Sequence, residues 1–357
     1  MIENLYIKFL SLSLITYFFY KVLNLISKKF DFLREAPSKE IRKIHSKKMI
    51  KIGGICITSI YFIYFFYQIP FQINMILLYA IPFLIVGLIS DTNVKFNYIF
   101  RLGIFFIVLL IYFIQSKNTI IISPENFLFF EKLFFENEFL IFLFPILCTI
   151  FFINAANIID GLHGLKLGSI ILILILFSIK ITNKESILYE FHLLFIFILF
   201  TLFLLNFFTG EIRSGDTGSY FCGFIVATLA ISLNRENYIS SFHILVIIFY
   251  PTIEMVFSFT RRLFSKKNPF KPDQEHLHHL VYKYLEVKLK SKKFLKNYVN
   301  QVSSIIILIS QSFILFGTLN FESNFSYFIT YLILIILYSL IYYFLKKKSL
   351  IKNYYSK

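Results

Sequence analysis

Eleven apolar runs, each close to the length needed to cross a bilayer as a helix, leave a chain of 357 residues few folds to choose from. They fall at 5 to 26, 52 to 69, 74 to 90, 99 to 115, 139 to 158, 167 to 182, 190 to 208, 218 to 234, 241 to 260, 298 to 316 and 326 to 345. Several hold only about 16 or 17 residues, which local bilayer thinning or burial in a bundle accommodates. With 57% hydrophobic and 16% charged residues and a mean hydropathy of +0.72, a soluble globule of this length would lack polar surface. The expected fold is an all-α integral membrane protein, a polytopic bundle of about 11 transmembrane helices. The first run exceeds a signal-peptide core and has neither a basic flank nor a small-residue cleavage site, so it is expected to be retained.

Lysine and arginine set the orientation. The segments 28 to 51, 91 to 101, 157 to 166, 208 to 217, 261 to 297 and 346 to 357 hold 29 of them, and the alternate segments hold 6. This bias places the N-terminus in the periplasm and the C-terminus in the cytoplasm. The net charge of +16 lies in loops beside apolar runs rather than on a separate domain. Anionic membrane lipids and phosphorylated substrates are therefore expected as partners, and nucleic acid is not. Cys56, Cys148 and Cys222 lie in or beside apolar runs without paired spacing, which excludes a disulfide framework. No internal repeat or linker divides the chain, so residues 1 to 357 are expected to form one domain. Its motif-bearing core runs from 42 to 285 and a C-terminal helix pair from 298 to 345.

Every loop that follows an odd-numbered run lies on the same face under this topology. Those loops carry Asp91, Asp160, Asp216 and the histidines near position 276. Carboxylates distant in sequence are thus expected to share one cytoplasmic surface. The densest stretch is NAANIIDGLHGL, from Asn154 to Leu165. Asn154, Asn157 and Asp160 recur every third residue, so a helix carrying all three would place them roughly on one face. Gly161 and Gly164 then suit a sharp turn or the close approach of a bulky group. An ordinary inter-helix loop with an Asx turn is the plainer alternative.

Four more stretches carry chemistry. RKIHSKKMIKIGGI, from Arg42, reads alone as a positive-inside cluster, but Gly53 and Gly54 open a helix whose free N–H groups suit an anion. GLISDTNVKF, from Gly87, puts Asp91 at a membrane boundary, where an unpaired acid is costly, with Lys95 downstream. NFFTGEIRSGDTGSYF, from Asn206, encloses Asp216 in a turn that leads into a helix start. PDQEHLHHL, from Pro272, offers His276, His278 and His279, yet it is not H-E-x-x-H and has no nearby cysteine, so structural zinc is not expected.

Together these stretches resemble the polyprenyl-phosphate N-acetylhexosamine-1-phosphate transferases. The family patterns N-x-x-N-x-x-D-G-x-x-G-L, R-x-x-H-x-x-x-T-P-R-x-G-G, G-D-x-G-S and P-D-x-x-H-x-H-H all find counterparts here, and PTIEMVFSFTRRL points the same way. One departure stands out: the family usually has two adjacent acids where this chain has Ser90 and Asp91.

The resemblance implies Mg²⁺-dependent transfer of N-acetylhexosamine-1-phosphate from a UDP-N-acetylhexosamine to undecaprenyl phosphate, releasing UMP, with Mn²⁺ as an alternative ion. It implies Asp91, Asp160 and Asp216 as catalytic residues, and Asp216 with Asn157 as metal ligands. His45, Lys48, Lys95, Asn154, Asn157, Asn206, His276, His278 and His279 would bind substrate. The bacterial inner membrane, initiation of O-antigen or capsule, and a homodimer follow from the family alone. A flippase for lipid-linked sugars and an inactive scaffold of a glycan assembly complex are the rival readings.

Overall fold

The computed structural model describes residues 2–35, 49–60, 71–92, 96–116, 137–184, 186–266, 268, 273–289 and 297–355. Its elements are α1 (Ile2–Phe30), β1 (Arg34–Glu35), β2 (Met49–Ile50), α2 (Gly53–Ile57), α3 (Phe71–Thr92), α4 (Tyr98–Ser116), α5 (Glu138–Ile158) and α6 (Leu165–Lys180). They continue with α7 (Ile187–Thr209), α8 (Gly215–Arg235), α9 (Ser241–Ile247), α10 (Phe249–Phe264), α11 (Leu277–Lys288), α12 (Val299–Gly317) and α13 (Asn324–Tyr355). The chain is almost wholly helical. β1 and β2 form a short antiparallel ladder, and Ile50 bridges Ile212 in parallel.

Eight of the described helices are long and apolar enough to span a membrane, or nine if α9 and α10 count as one. That differs from the expected eleven. The run at 52 to 69 is described only in part, through α2, and α6 has 16 residues, below the usual spanning length. The run at 241 to 260 is not one straight helix, because α9 and α10 meet at 78°. Pro251 accounts for the position of the break. Its ring nitrogen cannot donate to the Ile247 carbonyl, so the backbone restarts as a new helix with proline in its first turn.

Helix α8 is the hub. Within its spanning window 89% of residues are buried, against 22% for α1. Small residues make this possible: a Cβ on Gly54 would lie 2.3 Å from the Gly218 nitrogen, and one on Gly87 would lie 2.4 Å from the Thr217 Cα. The backbones of α2 and α3 therefore touch α8, the way small residues permit in membrane bundles. A large apolar core surrounds α8, and a second joins the α5–α6 turn to α9 through α13.

The two ends of the bundle are built differently. Away from the acids, Asn137 caps α5, Ser186 caps α7 and Ser240 caps α9, each through its own side chain. At the acid-bearing end, α2, α6, α8 and α11 start without any such bond. Their first amides must find partners elsewhere.

Candidate active site

For α8 the partner comes from another helix. Asp91, in the last turn of α3, accepts through Oδ1 from the Asp216 amide at 3.1 Å. Its Oδ2 accepts from the Thr217 amide at 3.0 Å and from the Thr217 hydroxyl at 2.7 Å. Lys51 Nζ lies 3.4 Å from Oδ1, and the Asp91 side chain is 1% exposed. A carboxylate at this position also complements the helix dipole. Gly215 is required on two counts, since its φ is +64° and a Cβ would lie 2.4 Å from Asp91 Oδ2.

Asp216 is held differently. Its Oδ2 accepts from Ser90 Oγ at 2.5 Å and from Tyr220 Oη at 2.8 Å, with Arg101 3.8 Å away. Among the described residues no donor reaches its Oδ1, and the side chain is 28% exposed. Asp216 therefore presents one fixed oxygen and one open oxygen. Ser90, at the place of a second acid, acts as a donor to the remaining one.

The Asp160 turn packs beside this helix start. Helix α5 ends at Ile158, so it carries Asn154 and Asn157 but not Asp160, and the expected three-residue stripe stops one member short. Asn154 donates back to the Ile150 carbonyl of its own helix at 2.8 Å. Asn157 lies in the last turn, partly buried. Asp160 is held by two cations. Lys166 Nζ lies 3.0 Å from its Oδ2, while the Arg213 guanidinium donates to its carbonyl and lies 4.0 Å from Oδ2.

The glycines of the turn serve close approach. Gly164 has φ +77°, and a Cβ on Gly161 would lie 2.2 Å from His278 Nε2. Asn206 accepts from the Gly164 amide and donates to the Ile212 carbonyl, so its amide ties the turn to the segment before α8.

The histidines form a third group, adjoining the Asp160 turn through Gly161. Glu254 of α10 lies between His276 Nδ1 at 3.2 Å and His278 Nδ1 at 3.8 Å. The rings of His276 and His278 stack 5.4 Å apart, and His279 lies 4.2 Å from His278. The basic residues nearby are largely occupied. Arg261 pairs with Asp273 and Glu275, Arg262 approaches Asp273 at 3.3 Å, and Lys346 pairs with Glu275 at 2.8 Å. These charges are thus spent on Asp273 and Glu275 of the same region. His45, Lys48 and Lys95 lie outside the described residues.

The model of glycosyl transferase family 4 matches residues 73–234, which contain Asp91, Asp160 and Asp216. The chain is 26% identical to the undecaprenyl-phosphate alpha-N-acetylglucosaminyl 1-phosphate transferase of Thermotoga maritima, over 90% of this chain and 92% of that relative. The family match places residues 73–234 in glycosyl transferase family 4. A probable undecaprenyl-phosphate N-acetylglucosaminyl 1-phosphate transferase of Bacillus subtilis is 24% identical over 67% of each chain. The phospho-N-acetylmuramoyl-pentapeptide-transferase of Staphylococcus aureus is 27% identical over 57% of this chain and 67% of its own length.

The Mg²⁺ implied by the resemblance would have to be held by the carboxylates of this site. Among the described residues no group of three His, Cys, Asp or Glu forms a cage. Mg²⁺ does not need one, because it commonly takes one or two carboxylates and completes its shell with water and substrate phosphates. The open Oδ1 of Asp216 fits that pattern. Asp91 does not, since both its oxygens are engaged.

Two of the histidines, His278 and His279, are held toward the neutral form. Burial, then the neighbouring His278 and His276, push the His279 imidazole down to about 2, and burial also lowers His278. A histidine kept neutral in the fold contributes stability that is complete above its unfolded value near 6.5. That stability is lost as pH falls below 6.5, because the unfolded chain then takes up the proton. Between pH 6.5 and 5.5 the loss is about 1 kcal/mol for each such group. The melting temperature in detergent should fall over that interval, and His279→Gln should flatten the slope. An unchanged slope would show that His279 takes up its proton within the fold.

Proposed function

We propose that this family 4 transferase moves N-acetylhexosamine-1-phosphate from a UDP-N-acetylhexosamine to undecaprenyl phosphate. A lipid phosphate oxygen forms a bond to the β-phosphorus of the nucleotide sugar. The bond from that phosphorus to the oxygen bridging the uridine-bearing phosphate breaks, and UMP departs with the electron pair. The observation that carries this reading is the open Oδ1 of Asp216 at a helix start ringed by Lys51, Arg101, Lys166 and Arg213. Two phosphorylated substrates repel each other, and a cationic surround offsets that repulsion.

Bound at Asp216, Mg²⁺ would neutralise charge developing on the diphosphate as the leaving group separates. The chain's residues do the rest. Ser90 and Tyr220 hold the Asp216 carboxylate in one orientation, and Arg101 limits its charge. Asp91 fixes the α8 start and with it the Asp216 backbone. Asp160, in the turn that meets His278 through Gly161, would orient substrate, and Asn206 sets the turn that carries it. The site would face the cytoplasm of a bacterial inner membrane, and its product would initiate a cell-envelope polysaccharide such as O-antigen.

The test is UMP release by the purified chain in detergent with undecaprenyl phosphate, Mg²⁺ and a panel of UDP-N-acetylhexosamines. Release that needs both lipid and metal is the expected result. Folded protein silent across the panel would sink the proposal and leave the scaffold and transport readings.

A further inference from the structure

Among the described residues Lys166 is the one buried lysine, with a side chain 1% exposed. Burying an ammonium costs several kcal/mol unless each N–H finds an acceptor. Here all three do. Lys166 Nζ donates to Asp160 Oδ2 at 3.0 Å, to the Gly215 carbonyl at 3.2 Å and to Ser219 Oγ at 2.6 Å. Its neighbours Leu165 and Leu167 are core residues, so packing alone would be served by an apolar side chain of similar length. The charge is therefore there for its oxygens, and those come from two separate pieces of the site. One is the Asp160 turn, and the other is the first turn of α8, which carries Asp216.

We propose that Lys166 is a positioning residue, a tethered cation that clamps the Asp160 turn onto the first turn of α8. By covering Asp160 it leaves Asp216 as the carboxylate open to a divalent ion. A bound metal would otherwise be the natural way to join a carboxylate to a carbonyl and a hydroxyl at this spacing, and the lysine does so without leaving the chain.

The activity arm of the test rests on the transferase reading, and the ion-binding arm needs no substrate. Full-length wild type, Lys166→Met, Asp160→Asn and the double variant are compared by Mn²⁺ titration with electron paramagnetic resonance. Removing a positive charge beside the carboxylates should tighten Mn²⁺ binding about tenfold or admit a second ion, and the double variant should return to wild-type binding. Unchanged or weaker binding by folded Lys166→Met overturns the proposal. If Lys166→Met does not fold but the double variant does, the lysine is confirmed as the partner of Asp160. If neither folds, it is a structural cation of the helix ends and the assignment falls.

In turnover, Lys166→Met should lose about 100-fold in kcat with KM for the nucleotide sugar little changed, as expected for a misplaced group. The double variant should be no worse than the poorer single variant, and additive losses would count against the clamp. Absence of turnover in wild type would remove the transferase reading and leave the Mn²⁺ result to decide the proposal.

Discussion

Asp216→Asn should lower UMP release by at least about 100-fold, equivalent to about 2.7 kcal/mol of transition-state stabilisation. The substitution is nearly isosteric, and an amide oxygen can still accept from Ser90 and Tyr220, whose bonds now fix Oδ2. What disappears is the negative charge and the second oxygen, the one no protein donor reaches among the described residues. A hard cation binds an amide far less well than a carboxylate. Loss of turnover should therefore come with weakened Mn²⁺ binding and an unchanged melting temperature. Activity within about fivefold of wild type would place the chemistry away from Asp216.

Asp91→Ala should damage the fold itself, by about 3–5 kcal/mol, because it strips the partner from a buried charged network. The Asp216 amide, the Thr217 amide and the Thr217 hydroxyl all lose their acceptor, and Lys51 loses its counter-charge. In a protein whose net stability is about 5–15 kcal/mol this is a large share. Asp91→Asn should be milder, since its one carbonyl oxygen can still accept from Thr217 while only the Asp216 amide loses its acceptor. Comparing the two by thermal melting in detergent separates the two roles open to Asp91. Equal melts for both variants, with activity lost in each, would favour a direct chemical role over a capping one.

Much of this arrangement was legible in the sequence. The Lys and Arg bias placed the loops of Asp91, Asp160 and Asp216 together, and the structure joins the first and third directly and the second through Lys166. Other features were not legible, for physical reasons. A continuous apolar run at 241 to 260 carries no sign of a 78° bend beyond Pro251, and hydropathy does not register direction. Lys166 looked like a single charge in an inner loop, because pattern alone does not separate a solvated lysine from a buried, triply bonded one. Its position between Leu165 and Leu167 was the available signal. Ser90 stood out only as a missing acid, whereas it donates to the acid that remains. Asn206 was expected among the substrate-binding residues, but its amide is consumed by two backbone groups from neighbouring segments.

The partners of the α8 start have one more property in common. Gly54, Ser90, Asp91, Arg101 and Lys166 all precede Gly215 in the chain, so each has left the ribosome before the helix they hold is made. Chains fold largely in the order of their synthesis. The carboxylate half of the site can therefore assemble once Arg235 has cleared the ribosome, while the Glu254 and histidine half must wait for α10 and α11. Biogenesis would then lay down the centre of charge first and close the histidine group around it afterwards.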